Sequence, residues 1–242
     1  MNTLKKVLIA GAVAAVAYAA ANASAAELVT NGGFESNGGN GQLGYNTSAT
    51  GWSVPSGSYT FLFAPGTADT SGANGQYGGL SLWGPGNGVA NGLPAASPAG
   101  GYFIASDSDF QQGAVSQTIN GLTVGKAATL TFWWAAAQQS GFNGATQSQW
   151  EVSLGSQTQD TAFAIIPNHG FSGWISQTFT FTPTSTSELL SFFANGSPQV
   201  PPFALLDGVS LTQSSVPEPG TLALVGLGLA GFGLIRRRAR RR

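Results

Sequence analysis

The segment Thr178-Phe179-Thr180-Phe181-Thr182 places phenylalanine on one side of an extended chain and threonine on the other. Successive side chains of a strand point to opposite faces, so this alternation marks a strand with one face in a core and one in water. Thr129-Leu130-Thr131-Phe132 and Glu151-Val152-Ser153-Leu154 repeat the pattern. Further strand candidates fall at 28–30, 59–64, 80–83, 102–106, 115–120, 189–194 and 203–212, each bounded by Gly, Asn, Pro or Ser. No stretch between the two chain ends carries a sustained helical period with caps. About ten strands in roughly 190 residues predict an all-β fold of two packed antiparallel sheets, a sandwich of the jelly-roll type. Residues 66–79 and 84–101 are too rich in glycine for regular strands and read as long surface loops, functional or mobile.

The ends of the chain differ from its middle. Lys5-Lys6, an apolar run from Val7 to Ala21, and Ala23-Ser24-Ala25 before Ala26 have the order of a secretory signal: basic start, apolar centre, small-residue cleavage site. At the other end Val216-Pro217-Glu218-Pro219-Gly220 is followed by an uncharged stretch from Thr221 to Ile235. Arg236, Arg237, Arg238, Ala239, Arg240, Arg241 and Arg242 close the chain. The apolar stretch falls short of the ~20 residues that cross a bilayer comfortably, so it predicts a short transmembrane helix in a thinned or strained crossing. The arginines are expected to stay cytoplasmic, which leaves the middle domain outside. The expected organisation is a signal peptide over 1–25, an extracytoplasmic β-sandwich over 26–215 and a sorting segment over 216–242.

The formal net charge of −1 hides a segregation. Between the ends stand nine acidic residues and a single cation, Lys126, a net of −8. Nucleic acid is excluded as a partner, because phosphate binding needs clustered Lys and Arg. The chain has no cysteine, so an exported domain of this sequence holds together by core packing and, as an alternative, a bound metal. Fifteen Phe and six Trp supply that core.

Val216-Pro217-Glu218-Pro219-Gly220, the glycine-rich apolar stretch and the terminal arginines resemble the PEP-CTERM sorting signal of Gram-negative bacteria. The resemblance implies that the chain passes transiently through the inner membrane. A membrane-embedded exosortase would cut it near Pro-Glu-Pro, and the product would reach the cell surface or extracellular matrix alongside exopolysaccharide.

A second resemblance brackets the domain. Leu28-Val29-Thr30-Asn31-Gly32-Gly33-Phe34-Glu35 is similar to the opening strand and turn of galactose-binding-like jelly rolls, among them several carbohydrate-binding modules. Leu206-Asp207-Gly208-Val209-Ser210-Leu211 is similar to their closing strand. The resemblance implies that first and last strands lie side by side, and that Glu35 and Asp207 help hold a structural Ca2+. Calcium takes six to eight oxygens, which turns and carboxylates supply. The plainer alternative is that Glu35 caps a turn and Asp207 bonds a neighbouring backbone group. The family often has two acids where this chain has Asp207-Gly208.

Catalytic material is sparse, and the expectation is a protein that is not an enzyme. There is no Cys nucleophile, no Gly-x-Ser-x-Gly elbow and no phosphate loop. The one histidine, His169, sits in the turn-like Pro167-Asn168-His169-Gly170. Asp107 and Asp109, two residues apart, fit a turn or a metal better than the two carboxylates of a glycosidase, which flank the substrate. Binding chemistry is better represented. Neutral glycans are held by aromatic faces and read by amides, and aromatic residues here stand near amides: Trp133-Trp134 before Gln138-Gln139, Trp150 beside Gln149, Trp174 near Gln177. Trp133 and Trp134 must face opposite ways on a strand, and Tyr59, Phe61 and Phe63 form a same-face row. Trp134 and Trp150 are the candidate ligand-stacking residues. The expected function is a surface or matrix protein that binds polysaccharide; the alternatives are a structural component engaging other proteins and, remotely, a glycan hydrolase.

Overall fold

The structure is a computed structural model and describes residues 25–213. Both end segments, with Val216 to Gly220, Arg236, Arg237 and Arg238, lie outside the described residues.

Among the described residues fourteen strands follow one another. The first five are short: β1 (Ala26–Glu27), β2 (Gly41–Gln42), β3 (Thr60–Phe63), β4 (Ala73–Gly75) and β5 (Gly78–Leu80). A single 3-10 turn at Pro85–Asn87 precedes β6 (Phe103–Asp107), β7 (Val115–Asn120), β8 (Ala128–Gln138) and β9 (Thr146–Leu154). The chain then forms β10 (Gln157–Asp160), β11 (Ala164–Ile166), β12 (Ile175–Phe181), β13 (Ser187–Ser197) and β14 (Pro202–Gln213). Seven strands make one sheet in the order β12-β8-β14-β6-β3-β2, with β1 beside β14; five make the other in the order β10-β9-β13-β7, with β11 beside β9. This is the expected antiparallel sandwich. The first strand lies beside the last, as the galactose-binding-like resemblance implied, and Leu28 N donates to Leu211 O at 2.9 Å.

Between the sheets, Leu62, Ile104, Leu130, Phe132, Phe179, Phe181, Leu206 and Leu211 of the larger sheet meet Val115, Ile119, Val152, Leu154, Leu190 and Phe192 of the smaller. Each strand contributes one parity, which switches on β14 only at its bulge between Asp207 and Ser210, so the alternation in sequence becomes the core directly. The phenylalanines at 179 and 181 face inward and the threonines at 178 and 180 outward.

The larger sheet is also covered on its other face. Phe61, Phe63, Phe103, Ala105, Ala135, Ala137, Phe203 and Leu205 form a second core with Ala68, Ala73, Leu80, Leu82 and Leu93. Ala68, Ala73 and Leu93 come from the segments expected to be surface loops, and Leu80 and Leu82 from the strand candidate between them. Those segments are instead a packed layer: the β4–β5 hairpin interrupts the first, and Leu82 N donates to Ala68 O at 2.7 Å. Burial on both faces explains why the centres of β8 and β14 read as continuous apolar runs, Ala135-Ala136-Ala137 and Phe203-Ala204-Leu205-Leu206.

Neutral amides finish the edges. Gln157 Nε2 donates to Thr182 O at 2.5 Å while Thr182 N donates to Gln157 Oε1 at 3.0 Å, and Gln159 Nε2 reaches Thr180 O at 2.8 Å. The side chains of edge strand β10 thus satisfy backbone groups along edge strand β12, leaving less of that edge free to pair with another chain.

Candidate functional site

The tryptophans expected to stack on ligand do not reach the surface. Trp134 is 2 % and Trp150 0 % exposed, both between the sheets. Strand parity turns Trp134 inward and its neighbour Trp133 to the opposite face, half-buried against the covering layer. Trp150 Nε1 donates to Leu205 O at 3.0 Å, a bond from one sheet to the other. The correction has a simple cause: the largest rings offer the most apolar area to a core, and packing claimed them. Trp174 also packs inward, edge-on to Phe103 at 5.5 Å.

Glu35 and Asp207 do come together. The opening turn carries Asn31 and Phe34 at φ 55° and 58°. It presses so closely on β14 that a Cβ on Gly32 would lie 1.8 Å from Val209 O. β14 bulges between Asp207 and Ser210, with Gly208 at φ 58°. A Cβ on Gly33 would sit 3.9 Å from both Asp207 Oδ1 and Glu35 Cγ, which places this glycine between the two acids. The 84–101 segment closes the group: Ser97 Oγ donates to Asp207 Oδ2, and Tyr102 N donates to Glu35 Oε1 at 2.7 Å. Gly208 N donates to Asp207 Oδ1 at 2.6 Å. Asp207 is fully buried. Burial above all, with the charge of Glu35 adding to it, pushes its carboxyl up to about 7 against the favourable bonds from Ser97 and Gly208. Two carboxylates and the Ser97 hydroxyl converge here from three segments, with no cationic side chain beside them among the described residues. Hard oxygen donors of this kind are the type that Ca2+ takes. Among the described residues no group of three or more His, Cys, Asp or Glu gathers at one point.

A cleft opens elsewhere. Antiparallel pairing brings the start of β3, the end of β6, the end of β8 and the start of β14 to one end of the larger sheet. There Tyr59, Tyr77, Gly79, Asp107, Asp109, Phe110, Gln139, Phe142, Gln199 and Pro201 line a cavity of about 420 Å³. Tyr77, Phe110 and Phe142 are 62 %, 60 % and 41 % exposed, whereas Tyr59 forms the buried floor. The Tyr59, Tyr77 and Phe110 rings form a triangle, with centroids 5.9, 6.2 and 6.3 Å apart and tilts of 45°, 58° and 90°.

Glutamines fix this arrangement. Gln42 Nε2 donates to Ser58 O at 2.8 Å and its Oε1 accepts Gln76 N at 2.8 Å. Gln76 Nε2 donates to Gln111 Oε1 at 2.6 Å, and Gln111 Nε2 to Tyr77 Oη at 2.7 Å. The β4–β5 hairpin is therefore tied to the strand ends beneath it, and Tyr77 is held at the rim. On the far side Trp83 Nε1 donates to Phe142 O at 2.9 Å.

Asp107 lies opposite Phe203 in the ladder, 1 % exposed. Its Oδ1 accepts the N–H groups of Asp109 and Phe110, each at 2.9 Å, which caps the turn that presents Phe110. Burial raises the carboxyl above its usual range, and those two bonds oppose the rise. Burial, with the nearby Asp107 charge, likewise keeps the Tyr59 phenol protonated to higher pH than usual. The spacing of Asp107 and Asp109 thus serves a turn. His169, at φ 59°, stacks on Trp83 at 4.1 Å and its Nε2 lies 2.7 Å from Asn143 Oδ1.

Sequence reasoning passed over Tyr77, Phe110 and Phe142. Signals pointed to the first two: Tyr77 sits in a glycine-rich segment too long for an idle loop, and Phe110 directly follows the Asp107/Asp109 pair.

Residues 215–241 match the model of the PEP-CTERM protein-sorting motif. The chain carries a PEP-CTERM sorting signal. It is accordingly an exported protein that is processed at its C-terminus. A search of curated proteins returned no match. Solved structures with a similar course of chain include TmCBM61 in complex with beta-1,4-galactotriose, 14 % identical, covering 78 % of this chain and 99 % of that one at a TM-score of 0.43. Another is the CBM22-1 xylan-binding domain from Paenibacillus barcinonensis Xyn10C, 10 % identical, covering 80 % and 97 % at a TM-score of 0.40. A third is a CBM4 module, 16 % identical, covering 76 % and 99 % at a TM-score of 0.35.

Proposed function

We propose that this is a surface or matrix protein of a Gram-negative envelope whose sandwich binds carbohydrate in the cleft at the end of the larger sheet. The observation that carries the reading is the cleft itself. Exposed Tyr77, Phe110 and Phe142 offer flat apolar faces at a concave site, and Gln139, Gln199 and Asp107 offer the polar groups that read hydroxyls. The site is preformed, because the glutamine relay and the Asp107 cap hold the rings before any ligand arrives, which lowers the cost of binding. The sorting signal supports a life history of export, transient residence in the inner membrane on a short apolar helix, cutting by an exosortase, and delivery to the surface.

Glu35 and Asp207 act in support of the fold. They hold a Ca2+ that joins the opening turn, the 84–101 segment and the β14 bulge. The convergence of these three segments on two carboxylates supports that role. The ion would neutralise a buried carboxylate and brace the layer that covers the larger sheet.

The carbohydrate reading is tested by applying the full chain, purified in detergent, to an array of polysaccharides and oligosaccharides. Replacing Tyr77 and Phe110 together by alanine is expected to weaken binding by about tenfold or more. A double variant that binds as well as the parent shows that the cleft is not the site. A parent that binds no glycan favours a structural role among envelope proteins.

A further inference from the structure

We propose that the cleft selects glycans bearing a protonated amine, with Asp107 as the partner of the ammonium and the Tyr59, Tyr77 and Phe110 rings around it. This rests on the carbohydrate reading of the cleft and names the class of sugar.

The lining contains two carboxylates, Asp107 and Asp109, and no Lys, Arg or His. Asp107 is not simply a turn residue that happens to be near. Its Oδ1 takes both turn N–H groups, while among the described residues no protein donor reaches its Oδ2. The side chain is 1 % exposed and lines the cavity, so it presents one oxygen to a ligand from a site largely removed from water. Burial, with the like charge of Asp109 adding to it, raises the Asp107 carboxyl, and a cation at Oδ2 would oppose both effects.

That arrangement decides between sugars. A neutral sugar over Asp107 strips more water from the anion and returns only hydroxyl bonds. An ammonium brings three donors and the missing charge in one group. The rings add to the preference. Three mutually tilted aromatic faces within about 6 Å of one another attract a cation through their quadrupoles more strongly than they attract a hydroxyl. Acidic sugars are opposed by both carboxylates and by the net charge of −8 on the region between the chain ends. Gln139 and Gln199 remain for the hydroxyls of the same ligand.

The test is calorimetric titration of the full chain in detergent with three oligosaccharides of equal length. They are a glucosamine oligomer, its N-acetylated counterpart and a glucose oligomer, each titrated from slightly acidic to neutral pH, because the pairing needs the amine protonated and the raised Asp107 carboxyl ionised. The glucosamine oligomer is expected to bind about tenfold or more tightly than either neutral one. Asp107→Asn keeps an acceptor for the turn N–H groups and is expected to collapse that preference. Asp109→Asn, at a more exposed position, is expected to reduce it, and serves if the first variant does not fold. Equal binding of all three, or preference for a neutral one, overturns the amine assignment while leaving the carbohydrate reading in place. Binding of none overturns the carbohydrate reading itself. A preference that survives in both variants overturns the role given to the carboxylates.

Discussion

Trp150 Nε1, on the central β9 strand of the smaller sheet, donates at 3.0 Å to the carbonyl of Leu205 in the middle of the larger one. A ring that fills the space between two sheets also stitches them by a directed bond. Trp134, its counterpart on β8, has a buried Nε1 that meets no protein acceptor. The two largest side chains of the core therefore differ in what their indole nitrogen contributes.

The difference predicts unequal costs for one chemical change. Trp150→Phe should destabilise by about 1–3 kcal/mol for the lost bond, beyond the loss of ring volume. Trp134→Phe gives up volume alone and should cost less. Denaturant unfolding of both variants checks the ranking. Equal costs would mean that the intersheet bond contributes nothing.

Asp107 gives a pH dependence with a definite sign. Its carboxyl is raised on folding, so the folded state holds its proton to higher pH than the unfolded chain does. Stability from this group is therefore full at low pH and lost as pH rises from the ordinary carboxylate range through the raised value. Asp107→Asn removes the ionisation and keeps an acceptor for the turn. The variant should gain stability over the parent at neutral pH, and the gain should shrink on acidification through that window. A gain that does not change with pH would rule out burial of this charge as its cause.

Two neighbouring glycines should respond differently to alanine. A Cβ at Gly32 would lie 1.8 Å from Val209 O, a backbone atom of the β14 bulge that cannot move aside. At Gly33 the nearest atoms stand 3.9 Å away. Gly32→Ala is expected to cost about 2–3 kcal/mol and Gly33→Ala less than about 1 kcal/mol. Thermal unfolding distinguishes them.

The calcium role predicts a response to chelation. At calcium about a hundredfold above its dissociation constant, a bound ion adds about 2.7 kcal/mol. In a domain of this size EDTA should then lower the unfolding midpoint by about 5 °C or more. Asp207→Asn should abolish that response. An unchanged midpoint in EDTA ends the calcium reading.

Legibility in the sequence followed the range of the interaction. Strands such as β7 and β12 were readable because burial on one face writes a period of two into consecutive residues. The pairing of the domain's first and last strands was readable through the resemblance carried by short motifs at each end of the domain. The second core was not, because Ala68, Ala73 and Leu93 are isolated apolar residues in glycine-rich segments, and no local pattern says what they cover. The cleft was hidden for the same reason. Its exposed rings, Tyr77, Phe110 and Phe142, come from three separate segments, and each alone resembles a loop aromatic.

By itself, then, the sequence determined an exported chain with a sorting signal at its end and an all-β middle, since charge segregation, apolar length and strand parity are all local properties. Which aromatic rings face a ligand was decided only by the tertiary structure. Exposure is set by what packs across a strand from another part of the chain, so the large tryptophans were drawn into the core. Tyr77, Phe110 and Phe142, carried on turns at the end of the sheet, were left to line the cleft.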